Sequence, residues 1–306
     1  MARKLRFIPQ NPTLVSITNR TVQGRYLLRP DPGLNDCLVG LLGKFQRIHG
    51  VRVVMISVLS SHFHALLVFE DALQQANFMR DFQSASSREV NRRTGWRGPL
   101  FERRFHAAVV TGEERAQAER LKYLLANGVK ENLVEKVLDW PGVNAAAALL
   151  RGETLKGHWI DRTRQYAARN RGEDASDERF AVEETVTLSP LPCWAHLPPE
   201  RYRGRVQELV EEVESEAALA RRRSGARVLG VKTILAQDPH TRPDHLVHSP
   251  APFVHAATKA ARKMFYEIYA EFVNAFRAAS EALRRGNRDA PFPAGSFPPA
   301  LPFVAG

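Results

Sequence analysis

Two β-rich runs, residues 51–59 and 62–69, have only Ser60-Ser61 between them. A two-residue gap is the length of a tight hairpin connection, so the runs pair antiparallel and fix the register of the sheet they join. The turn lacks the glycine usually favoured there, which leaves its type open. Residues 14–18, with Val15 and Ile17, read as an earlier strand, and residues 103–110 as a later one. Between them, apolar residues recur at helical spacing. Asn35 or Asp36 can cap a helix carrying Leu38, Leu41, Leu42, Phe45 and Ile48 and closed by Gly50. Asp71 can cap a second that runs through Phe78, Met79, Phe82 and Val90 to Gly95. Residues 112–127 read as a third, with acidic residues in its first turn as the helix dipole prefers. Four strands with helices between them specify an α+β fold, an antiparallel sheet sandwiched with helices and open on one side.

Asp139-Trp140-Pro141-Gly142 ends this unit, which gives a domain over 1–150. Residues 151–198 read as a connector lying on it, and 199–306 as a mainly helical region with a Pro-rich tail. Within that region, helices are expected over 199–223, 231–237 and 256–285. The last carries Phe265, Ile268, Tyr269, Phe272 and Phe276 as a core-facing stripe. The tail is expected to dock through Phe292, Phe297 and Phe303.

Charge narrows the partners. The chain of 306 residues carries a net +11, of which +8 falls in 1–150 and +3 in the rest. Such an excess attracts phosphate backbones without regard to sequence. Two cysteines, Cys37 and Cys193, make no disulfide framework and no thiolate zinc site, so a reducing cytoplasm is the expected setting. No apolar stretch reaches about 18 residues, and no membrane span is expected.

Chemistry enters with His62-Phe63-His64 at the start of the second hairpin run. Side chains alternate along a strand, so both imidazoles share a face and can converge on one metal ion. A bare His-x-His more often marks exposed histidines near a turn, so a second feature must accompany it. Tyr123 and Asn127, four apart on the third helix, present a phenol and an amide together, although Asn127 before Gly128 also suits a helix C-cap. His106 is a further neighbour on the last strand, and its ordinary role there is structural.

These residues, with Ser16-Ile17-Thr18-Asn19-Arg20-Thr21, Leu100-Phe101-Glu102-Arg103-Arg104-Phe105 and the run from Tyr123 to Val134 followed by Asp139-Trp140-Pro141, give the first half a resemblance to a known family. It resembles the HUH-type single-tyrosine transposases, and most closely the REP-associated tyrosine transposases. The resemblance implies a ferredoxin/RRM-like HUH nuclease core in which His62 and His64 hold a divalent cation, magnesium or manganese. Tyr123 then stands as the nucleophile and Asn127 as a third, polar ligand. It implies single-stranded DNA beside a hairpin as substrate, cut and rejoined through a 5′-phosphotyrosine, by a monomer or a homodimer. Arg20, Arg25, Arg103, Arg104, Trp96 and Phe101 are the basic and aromatic residues able to engage the strand. Two other readings stay open: a domesticated or inactive protein that binds hairpin DNA or RNA, and a metal-dependent phosphoesterase. Gly128 departs from the pattern, because the family often has proline there. The C-terminal half exceeds the compact family domain.

Overall fold

The computed structural model describes residues 5–9, 12–244 and 252–300. The chain runs β1 (Thr13–Arg20), α1 (Pro32–His49), β2 (Arg52–Leu59), β3 (His62–Phe69), α2 (Ala72–Thr94), β4 (His106–Val110) and α3 (Glu114–Leu125). It continues through α4 (Ala146–Arg151), β5 (Leu155–Ile160), α5 (Arg162–Asn170), β6 (Ala181–Val186), α6 (Pro199–Ser224), α7 (Val231–Leu235), β7 (Val254–His255) and α8 (Lys259–Arg284). The hairpin of β2 and β3 forms around Ser60-Ser61 in the expected register, with Leu59 opposite His62 and Ser57 opposite His64.

Helix α1 starts earlier than expected. Its cap is Asp31, whose carboxylate accepts from the Leu34 N–H at 3.0 Å, and Pro32 takes the first helical position. Proline there loses nothing, since that N–H has no partner inside the helix in any case. Asp71 caps α2 and Gly50 closes α1 in the left-handed conformation, both as read from the sequence.

The main sheet has the order β2-β3-β1-β4-β7, and its first four strands are antiparallel. The fifth corrects the expectation of an all-antiparallel sheet. Strand β7 lies parallel to β4, pairing Val109 with Val254 and Val110 with His255. A strand of two residues has no periodicity to read, yet it covers an edge that would otherwise offer unpaired backbone. The open face is the second correction. Strand β3 is buried at every residue but His62, because helices lie on both sides. Phe63 meets Phe82 of α2 edge-on on one side, and Tyr123 of α3 meets His64 on the other.

Residues 151–198 carry a second, two-stranded sheet of β5 and β6 seated on α1. Backbones touch there. A Cβ on Gly40 would sit 2.3 Å from the His158 carbonyl carbon, and one on Gly157 would sit 2.4 Å from the Asp36 oxygen. The Lys44 ammonium lies over the Trp159 ring at 3.2 Å, and Arg47 pairs with Glu184 at 2.6 Å.

The C-terminal helices fall close to where the sequence places them. On α8, Phe265 and Phe272 are buried around Phe7, whereas Ile268 is over a third exposed and leaves the expected stripe. In the tail, Phe292 meets Phe276 and Phe297 lies beneath the Arg6 guanidinium. Phe303 lies outside the described residues.

Candidate active site

Strand register assembles the site. In an antiparallel pair, opposed residues point to the same face. Ser57 on β2, His64 on β3, Thr18 on β1 and His106 on β4 therefore form a polar row across the sheet, with Leu59, His62 and Arg20 in the next row. The His62 and His64 rings stand perpendicular with centroids 5.0 Å apart. Thr18 Oγ1 holds His64 Nδ1 at 2.7 Å, and Ser61 Oγ approaches His62 Nδ1 at 3.1 Å. The hydrogen bonds of both rings thus run through Nδ1, which leaves each Nε2 for another ligand. Burial, followed by Arg20 and Lys130, lowers the His62 pKa to about 4. His64 is held well below its usual value by burial and then by His62, Arg120, Lys130 and Arg20. Both imidazoles are neutral near pH 7, the state in which imidazole ligates a metal.

Helix α3 brings Tyr123 over this row. Leu121, Leu124 and Leu125 are fully buried and anchor the last turns, while Tyr123 on the adjoining side remains 38% exposed. Its ring meets His64 edge-on at 5.6 Å. Two cations lie against the same ring, the Arg120 guanidinium at 4.1 Å and the Lys130 ammonium at 3.4 Å from the centroid.

Asn127 is not on the helix as expected. Helix α3 ends at Leu125 with Ala126 as its cap, and Asn127 belongs to the turn that follows. The turn keeps it inside all the same: Asn127 is 1% exposed, and its Nδ2 has no hydrogen-bond partner among the described residues. Gly128 next to it has φ +93°, and its carbonyl accepts from Leu133 at 2.8 Å. Proline fixes φ near −65°, so the local chain path accounts for glycine at this position. Gly128→Pro is accordingly expected to destabilise the protein by about 3 kcal/mol, read as a lower urea midpoint. An unchanged midpoint would contradict this backbone path.

The residues expected to engage a strand separate into groups. Arg20 stands opposite His62. Arg25 and Trp96 meet each other, the guanidinium lying 5.1 Å from the ring, and residues 235–241 cross over them. Arg25 donates to the His240 carbonyl, Arg29 to that of Leu235, and Ser60 at the hairpin tip to Gln237 Oε1 at 2.9 Å. Phe101 lies on the opposite face of the sheet, packed on Phe63 at 5.8 Å. Arg103 extends to Glu102 at 3.9 Å, and Arg104 lines a cleft with Arg6 and Phe105. Sequence reasoning missed Thr18, Arg120 and Lys130. Arg120 had a signal, since three residues before Tyr123 on a helix is the same side.

No family model matches the chain, and no curated protein matches it. Among solved structures, it is similar to a REP-associated tyrosine transposase bound to a REP hairpin, with TM-score 0.40 and 18% identity over 50% of this chain and 87% of that one. It is also similar to a putative transposase from Deinococcus radiodurans R1, with TM-score 0.28 and 19% identity over 40% of this chain and 95% of that one. The similarity is one of fold and extends over about half the chain.

Proposed function

We propose that this protein nicks and rejoins single-stranded DNA beside a hairpin, using Tyr123 as nucleophile next to a divalent cation at His62 and His64. The observation that supports this most is the Tyr123 phenol ring set edge-on to His64 at 5.6 Å, over a pair of neutral imidazoles.

The residues fit a cation. Two neutral rings keep their Nε2 atoms for it, and the buried Asn127 carboxamide offers its oxygen, its unpartnered Nδ2 being an N–H donor that a cation cannot use. Among the described residues no third His, Cys, Asp or Glu joins a metal-sized group with them, so the remaining protein donor would be that carboxamide. Thr18 orients the His64 ring through Nδ1, as partners of metal-bound imidazoles generally do. When bound, the cation supplies Lewis-acid stabilisation of charge on a nonbridging phosphate oxygen.

Tyr123 Oη attacks the phosphorus, the Oη–P bond forms and the P–O3′ bond breaks. The phenolic proton passes to solvent and the departing 3′ oxygen takes one up. The product is a 5′-phosphotyrosine and a free 3′-hydroxyl. No water adds across the bond, so an incoming 3′-hydroxyl can reverse the step and reseal a strand.

The test is a denaturing gel of the full chain incubated with a labelled hairpin oligonucleotide and manganese. A band carrying protein and DNA together is expected, and a chelator present from the start should prevent it. His62→Ala combined with His64→Ala should reduce that band at least about a hundredfold. Tight hairpin binding with no such band at any metal concentration would favour a binding protein without catalysis.

A further inference from the structure

We propose that Arg120 and Lys130, both set against the Tyr123 ring, form the seat for the scissile phosphodiester. The proposal rests on the reading of Tyr123 as the nucleophile and goes further by assigning the residues that hold the reacting anion.

Arg120 precedes Tyr123 by almost one helical turn. Its Nε donates to Ser16 Oγ on β1 at 2.7 Å, which fixes the guanidinium between the sheet and the phenol ring. Lys130 comes from the turn beyond Asn127 and places its ammonium 3.4 Å from the same ring centroid. A pair of cations converging on one ring is the first half of the case.

The second half is what surrounds them. Other cations of α3 have carboxylate partners: Arg115 pairs with Glu119 at 2.7 Å, and Lys122 with Glu212 and Glu216 at 2.9 and 2.7 Å. Among the described residues neither Arg120 nor Lys130 has one. Arg20, opposite His62 on β1, adds a third cationic side chain to the same end of the sheet. Burial lowers the Arg120 pKa to about 10, with the Tyr123 phenol opposing the shift. Cation–π attraction holds such groups to a ring, but it does not offset their mutual repulsion or the desolvation of a guanidinium with no counter-ion. An anion bound by both at the edge of the ring does both. A phosphodiester is an anion of the right size, and a guanidinium can donate to two of its oxygens at once. Fixed cations aimed where charge develops also stabilise the transition state without reorganising.

Two measurements on the full chain decide it. The first is the anisotropy of a fluorescein-labelled hairpin oligonucleotide with a single-stranded 5′ extension, titrated in EDTA across a range of KCl. Arg120→Gln and Lys130→Gln should each weaken binding, and each should lower the magnitude of the slope of log K against log[salt] by about 0.7. Arg120→Lys should keep the slope, and so should Arg115→Gln. The second is the rate of covalent adduct formation in manganese at saturating oligonucleotide. Each glutamine variant should slow it about a hundredfold. Unchanged slopes in glutamine variants that retain the wild-type melting temperature would overturn the proposal. So would lowered slopes with an unchanged saturated rate, because the two cations would then grip a phosphate remote from the chemistry. Should Arg120→Gln unfold the chain, the exposed Lys130→Gln carries both readouts. A wild type that shows the salt-linked contacts but forms no adduct overturns strand transfer and leaves the anion seat standing.

Discussion

Tyr123→Phe is expected to abolish the covalent protein–DNA adduct, a loss of at least about a thousandfold, while leaving the fold and hairpin affinity intact. The substitution removes one oxygen from a ring whose packing is done by its faces and edges. His64 meets the ring edge-on, and Arg120 and Lys130 lie against it through contacts that phenylalanine retains. The Tyr123 hydroxyl makes no hydrogen bond among the described residues, so its removal leaves no protein group unsatisfied. The melting temperature should therefore stay within about 1 °C, as for a surface change that breaks no buried network. An adduct persisting in Tyr123→Phe would transfer the nucleophile's role to another residue.

Gly40→Ala should destabilise the chain by about 2–3 kcal/mol, a large effect for one methyl group on a helix where alanine is the better helix former. The cause is steric. Helix α1 presents Gly40 and Gly43 to the β5–β6 sheet, and a Cβ at Gly40 would meet the His158 carbonyl carbon at 2.3 Å and the Trp159 nitrogen at 2.7 Å. Those are backbone atoms, which cannot swing aside. Gly157→Ala meets α1 from the other side, with its Cβ 2.7 Å from the Gly40 nitrogen. Either change separates the same two surfaces, so the double variant should cost clearly less than the two single costs added together. Urea titration of the four proteins reads this directly. Full additivity, or a Gly40→Ala variant as stable as the wild type, would mean that the small sheet and the helix do not touch through their backbones.

The imidazole pair and the hairpin were legible in the sequence because both follow from covalent spacing. One intervening residue puts His62 and His64 on one face, and two intervening residues leave β2 and β3 no partner nearer than each other. What the sequence hid depends on register between distant segments. Thr18 reaches His64 because β1 pairs with β3 at that offset, and nothing local to Thr18 announces it. The same holds for Ser16, which orients Arg120 from 104 residues away. The end of α3 was misplaced for a local reason. Leu-Leu-Ala-Asn continues the helical pattern, and the chain leaves the helix at Ala126 ahead of Gly128 at positive φ. Helix α1 opens at Pro32, ahead of the Asn35 or Asp36 expected as its cap, because proline at the first helical position is hard to tell from proline in a turn.

The C-terminal half contributes more than its near-neutral charge suggested. It closes the sheet edge with β7, holds Lys122 of α3 through Glu212 and Glu216, and brings residues 235–241 across Arg25, Arg29 and Ser60. Its carbonyl oxygens occupy arginine donors of the kind that phosphate oxygens use, within the region expected to engage DNA.

The direction of the bond made to DNA tests strand transfer by Tyr123 most directly. The same hairpin oligonucleotide, labelled at its 3′ end in one sample and its 5′ end in another, is incubated with wild-type protein and manganese and run on a denaturing gel. The account predicts that only the 3′ label travels with the protein, the 5′-labelled piece being released with a free 3′-hydroxyl. Protein carrying the 5′ label, or a 3′-labelled fragment released with a plain 5′-phosphate and no covalent species, would contradict it.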